Sequence, residues 1–137
     1  MSHSVLPRKT LEPLAEHPAP LEGVGSQIVL DLYDCDTGLL DDVAHVRHSM
    51  LEAARIAGAT IITDNFHRFE PWGVSGVVII AESHIAIHCW PEHRYAALDV
   101  FTCGPMDMQA ACDALIQAFG SERTRQRGFV RGELIHG

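Results

Sequence analysis

The feature that most constrains this chain is a succession of β-like runs in its second half, with no helical pattern between them. Val74 to Ala81 is almost wholly apolar, His84 to Trp90 alternates, and Tyr95 to Thr102 alternates again. Period-two alternation marks a strand with one buried face. The continuous run of Val74 to Ala81 predicts burial on both faces at its centre. Pro91-Glu92 ends the second of these strands and Gly104-Pro105 follows the third. Upstream, Gln27 to Asp34 sets Ile28, Leu30 and Leu32 against Val29, Asp31 and Tyr33, which predicts a first strand. Ala59 to Arg68, rich in Ile and Thr, reads as another, broken by Glu70-Pro71-Trp72-Gly73.

Two helices complete the pattern. Leu40 to Ala57 places Val43, Val46, Met50, Ala53 and Ala57 at helical spacing, with Gly58 suited to the left-handed residue that ends a helix. After Gly104-Pro105, Asp107 can cap a second helix whose buried stripe is Met108, Cys112, Leu115 and Phe119, and Gly120 ends it. Arg125 to Leu134 reads as a last, polar edge strand. Helices and strands do not alternate one for one, which excludes a doubly wound sheet. The expected fold class is α+β, an antiparallel sheet covered by helices on one face. At 137 residues the chain is one domain, expected over 27–137. Residues 1–26 hold four of the seven prolines and no lasting periodicity, which predicts a disordered tail.

A net charge of -8 argues against nucleic acid or an anionic membrane as partner, since both reward clustered Lys and Arg. No apolar run approaches membrane-spanning length and no signal-peptide core is visible. The four cysteines, at 35, 89, 103 and 112, form no disulfide framework. A cytoplasmic protein is expected.

Reactive side chains concentrate between Glu82 and Gly104: one serine, three histidines, two cysteines, two glutamates and one aspartate. A peptide bond before a serine can undergo an acyl shift, in which the hydroxyl attacks the preceding carbonyl. Elimination from the resulting ester leaves dehydroalanine, which hydrolyses to a pyruvoyl group. This needs strain, an oxyanion stabiliser and a base. Glu82-Ser83 offers such a bond, although a serine between two strands is ordinarily just a turn residue. His88 can move protons near neutral pH. It has the opposite parity to Ser83, so a bend or bulge near Glu82–His84 is required if both serve one site. His84 and His88, roughly 13 Å apart along a strand, cannot share a metal without a bend, and no metal site is expected.

Glu82-Ser83-His84, His88, Trp90-Pro91-Glu92 and Phe101-Thr102-Cys103-Gly104 resemble the prokaryotic S-adenosylmethionine decarboxylase proenzyme family. Asp31-Leu32-Tyr33-Asp34-Cys35-Asp36, Phe66-His67-Arg68-Phe69 and Gly73-Val74-Ser75-Gly76 extend the likeness, which covers roughly Gln27 to Phe119. The resemblance implies a two-layer α/β sandwich and self-cleavage between Glu82 and Ser83, into a β chain of 1–82 and an α chain of 83–137. It implies a pyruvoyl group on Ser83 that forms a Schiff base with S-adenosylmethionine, and a product that feeds polyamine synthesis. Ser75 and His88 match processing residues and Cys103 the proton donor. Glu92 matches a ribose ligand and Phe69 an adenine-stacking ring. A homodimer with sites at the subunit interface is implied as well. Three positions depart from the family pattern: Gln27 for histidine, Cys89 for threonine, and His93-Arg94 for an aromatic or histidine followed by glycine. An arginine at 94 is compatible with a change of substrate to arginine or ornithine, or with a side chain that only faces solvent. An uncleaved binding or regulatory homologue is a third reading. It would be signalled by loss of Ser83, Ser75, His88 or Cys103, and all four are present.

Overall fold

A computed structural model describes residues 24–136. Six strands form one antiparallel sheet: β1 (Gly25–Tyr33), β2 (Ile61–Arg68), β3 (Val74–Ile80), β4 (Ser83–Trp90), β5 (Tyr95–Thr102) and β6 (Arg123–Arg131), in the order β2-β3-β4-β5-β1-β6. The helices are α1 (Thr37–Leu40), α2 (Val43–Ile56) and α3 (Met108–Ala118). Ile28, Leu30, Leu32, Val78, Ile80, Ile85, Ile87, Leu98 and Val100 are buried, as are Val46, Met50 and Ala53 of α2 and Ala111, Cys112 and Leu115 of α3. These residues form a single core between sheet and helices. Burying this apolar surface is the main favourable term for a domain of this size.

The expected α+β sandwich is therefore present, with four differences of detail. The sheet begins at Gly25, paired with Arg131, so the first strand takes in Gly25 and Ser26, which the tail was expected to hold. Of that expected tail, residues 1–23 lie outside the described residues. The helix expected from Leu40 to Ala57 begins only at Val43, with the separate short α1 before it, because the Asp42 carboxylate accepts from the amides of Ala44 and His45 and starts α2 afresh. The last strand spans Arg123–Arg131 and lies at the sheet edge against β1, and Glu133–His136 form a short 3-10 turn. Finally, β3 is not buried on both faces. Ile79 is exposed because the helices cover only the face that carries Val78 and Ile80. Gly58 takes φ +80° after α2, the left-handed conformation that frees the chain to turn into β2.

Among the described residues, no helix covers the other face of the sheet. It presents Gln27, Asp31 and Tyr33 of β1, His84, His88 and Trp90 of β4, Tyr95, Asp99 and Phe101 of β5, and the alternate arginines of β6.

Candidate active site

Two groups of side chains stand out, at opposite ends of β4. The first surrounds the Glu82–Ser83 bond. Ile80 pairs with Ser83, so Ala81 and Glu82 alone make the turn between β3 and β4. Two-residue hairpin loops favour glycine or asparagine at their positive-φ positions. None is present here, and Ser83 itself has φ 152°. A non-glycine residue in such a region stores about 1–3 kcal/mol. The Glu82 carbonyl oxygen accepts the Cys103 amide at 2.8 Å and the Cys103 thiol at 3.2 Å. Cys103 is exposed, just beyond the end of β5, and Ser83 pairs with its neighbour Thr102. The carbonyl before the serine is thus held between two donors, which is the arrangement that stabilises charge developing on that oxygen.

The second group lies at the far end of β3 and β4. A pocket of about 240 Å³ is lined by Phe69, Trp72, Gly73, Ser75, His88, Cys89, Trp90 and Glu92. Ser75 and His88 are cross-strand partners, with the Ser75 hydroxyl 3.1 Å from His88 Nδ1. Phe69, Trp72 and Trp90 are 46%, 50% and 40% exposed, unusual for rings that have a core available, and they give the pocket its apolar walls. Glu92 is exposed, in the 3-10 turn that follows β4. The loop carrying Phe69 and Trp72 is latched by Asp41, which accepts the Gly73 amide at 2.7 Å and Arg68 Nη2 at 2.8 Å. Those two bonds hold the Asp41 carboxyl below its usual range, the Gly73 amide having the larger effect. Trp90 also stacks on Tyr95 and Tyr95 on Tyr33, at 5.4 and 5.3 Å between ring centres. Burial, with a bond from its hydroxyl to Asp31, pushes the Tyr95 phenol well above its usual value.

The expected site residues therefore fall into two sets. Phe69, Ser75, His88 and Glu92 come together, and so do Glu82, Ser83 and Cys103. The two sets do not meet within one chain. The bend required to join Ser83 to His88 is absent, because β4 pairs without interruption from Ser83 to His88 with β3 and from Ser83 to Trp90 with β5. Five residues of strand place them roughly 17 Å apart, on opposite faces of the sheet.

The three departures also find places. Gln27 bridges Asp99 and Arg131 on the open face. Cys89 is buried, and burial pushes its thiol up to about 12, so it adds no reactive thiolate to the pocket. Arg94 turns its guanidinium to the backbone oxygens of Cys35, at 2.9 Å, and Asp34, at 3.4 Å. It braces the chain after β1, which removes the argument that it reads a substrate carboxylate. His84 and His88 engage different partners, Asp99 and Ser75. Trp72 in the pocket wall, and the bonds from Thr60 to the Glu82 carboxylate, were not foreseen. An aromatic inside a Pro-Gly break was the available signal for Trp72, whereas nothing local marks Thr60, whose contact partner is 22 residues away.

A family model described as S-adenosylmethionine decarboxylase matches residues 26–132. The chain is 54% identical over 114 residues to the S-adenosylmethionine decarboxylase proenzyme of Pseudomonas paraeruginosa, covering 82% of this chain and 71% of that one. It is 50% identical over 115 residues to the proenzyme of the same name from Acidithiobacillus ferrooxidans, covering 83% and 86%. Among solved structures, the adenosylmethionine decarboxylase of Aquifex aeolicus superposes with a TM-score of 0.78 at 36% identity, over 85% of this chain and 97% of that one.

Proposed function

The chain belongs to the S-adenosylmethionine decarboxylase family, and on that premise we propose that it is a self-processing decarboxylase of S-adenosylmethionine. The observation that carries the self-processing part is the pair of Cys103 donors on the Glu82 carbonyl, beside a serine at φ 152°. Ser83 Oγ attacks the Glu82 carbonyl carbon. A C–O bond forms, the C–N bond breaks, and the hydroxyl proton passes to the nitrogen, giving an ester. A base then removes the Ser83 α-proton as Glu82 leaves with Oγ as a carboxylate. The dehydroalanine left on the chain of 83–137 takes up water and loses ammonia. Cys103 N–H and S–H hold the charge that builds on the Glu82 oxygen, and the strain at Ser83 favours breaking the bond. The residues present thus fit the formation of a pyruvoyl group.

Once formed, that group supplies the electron sink as carbon dioxide leaves the substrate. Cys103 stands beside it with a thiol able to return a proton to the substrate's α-carbon. Glu92 accepts hydrogen bonds from the ribose diol. Phe69 stacks on adenine, and the rings around it suit a sulfonium cation. The product is the aminopropyl donor of polyamine synthesis.

The separation of the two residue sets supports a homodimer of cleaved protomers. Ser83 and Cys103 of one protomer work with Ser75 and His88 of the partner subunit, and with Phe69 and Glu92 of the partner subunit. The open sheet face, rich in rings and charges, is the surface available for that contact. The thiols of Cys35, Cys89 and Cys103 suit a reducing cytoplasm. Carbon dioxide release from S-adenosylmethionine, arginine and ornithine, assayed in parallel on processed protein, tests the substrate. Release from S-adenosylmethionine alone is expected. Release from either amino acid, with none from S-adenosylmethionine, would overturn the assignment.

A further inference from the structure

We infer that Thr60 is a positioning residue for the cleavage of the Glu82–Ser83 bond. The inference rests on the self-processing read above and names a residue to which no role has been given. Thr60 lies one residue before β2, yet it brackets the turn that holds the bond. Its amide donates to Glu82 Oε1 at 3.1 Å and its hydroxyl to Glu82 Oε2 at 3.4 Å. Its carbonyl accepts the Ala81 amide at 2.8 Å. Both turn residues, Ala81 and Glu82, are therefore tied to one neighbour.

The opposite side of Glu82 is fixed too. A Cβ on Gly104 would lie 3.2 Å from Glu82 Cγ, so glycine at 104 leaves the space the glutamate stem occupies. The residue before it, Cys103, holds the Glu82 carbonyl. Glu82 is thus gripped at three points: the carboxylate by Thr60, the stem against Gly104, the carbonyl by Cys103. An acyl shift requires the hydroxyl to meet the carbonyl carbon in one narrow geometry, and rate is lost steeply when the acceptor can rotate away. The Thr60 clamp removes that rotation and keeps the turn in the form that places Ser83 at φ 152°. Thr60 touches neither the hydroxyl nor the carbonyl, so it acts through Glu82.

The test follows conversion of the single chain into two after synthesis, for the native protein and for Thr60→Val, Thr60→Ser, Glu82→Ala and Thr60→Val/Glu82→Ala. Melting curves confirm that each variant is folded. The bond from the Thr60 amide survives in Thr60→Val and Thr60→Ser, so these two variants change the hydroxyl contribution alone, whereas Glu82→Ala removes both bonds. Cleavage by Thr60→Val is expected to slow about 3- to 10-fold, the range for one ordinary hydrogen bond, since this contact is exposed and long at 3.4 Å. Thr60→Ser is expected to restore the native rate. The double variant is expected to be no slower than Glu82→Ala, because the clamp has nothing left to hold. A native rate for Thr60→Val, no recovery in Thr60→Ser, or effects that multiply in the double variant would overturn the inference. A native chain that never divides would instead refute the self-processing reading, so the two failures are distinguishable.

Discussion

Replacing Cys103 by alanine separates the two duties assigned to that residue. In the uncleaved chain the Glu82 oxygen has two donors, the Cys103 amide at 2.8 Å and the thiol at 3.2 Å. Cys103→Ala keeps the amide and loses the thiol. A hydrogen bond to a group that is becoming charged contributes about 1.5–3 kcal/mol. A thiol is a weak donor, which points to the lower end. At about 1.4 kcal/mol per tenfold, cleavage should slow by roughly tenfold and still go to completion. Decarboxylation should suffer more, since a positioned proton donor contributes about 10²- to 10⁴-fold. Cys103→Ser should cleave faster than Cys103→Ala, its hydroxyl replacing the thiol as donor. Cys112→Ala, altered in the core beneath α3, should keep most of its turnover per processed chain. The assay is a time course of chain division, followed by carbon dioxide release normalised to the divided fraction. Native cleavage kinetics in Cys103→Ala would show that the thiol contact is without consequence for processing. Native turnover in the divided variant would remove Cys103 from the decarboxylation.

Three further outcomes are expected. Ser83→Ala and His88→Ala chains, each unable to divide alone, should yield divided His88→Ala chain when co-expressed, because a mixed dimer joins an intact Ser83 to an intact His88. No division in the mixture, with mixed dimers present, would contradict the shared site. Phe69→Ala should raise KM for S-adenosylmethionine by roughly 5- to 150-fold, from about 1–3 kcal/mol of stacking, and Glu92→Gln should raise it in the same direction. An unchanged KM in both would move the nucleoside elsewhere. In the native protein the Gly73 amide and Arg68 hold the carboxyl of the Asp41 latch below the ordinary aspartate value. Its stabilisation is therefore present above that value and is lost as pH falls through the native one. Tryptophan fluorescence should report loosening of the Trp72 loop there, and Asp41→Asn should abolish that step.

The fold was largely legible because the alternation of Ile28, Leu30 and Leu32, and of Ala96, Leu98 and Val100, states which face is buried. What escaped was set by single side chains or by distant partners. Asp42 divides a helical stretch because its carboxylate satisfies two amides, and apolar spacing does not register that competition. Ile79 stands in an apolar run yet is exposed, since nothing in the run says how many faces are covered. The motifs named the candidate site residues but not their arrangement. The parity of Ser83 and His88 foretold that they face opposite ways. It was the unbroken pairing of β4, invisible in a sequence, that ruled out a bend. Thr60 could not be found at all, because its importance lies wholly in a contact across 22 residues.

The central claim is that this chain makes its own catalytic group from Ser83. Intact mass measurement of the purified protein tests it most directly. Two chains are predicted, divided between Glu82 and Ser83, with the 83–137 chain lighter by ammonia than the same chain beginning in serine. The Ser83→Ala protein should remain whole. An active enzyme that is a single undivided chain, or a Ser83→Ala protein divided at the same bond, would contradict the account.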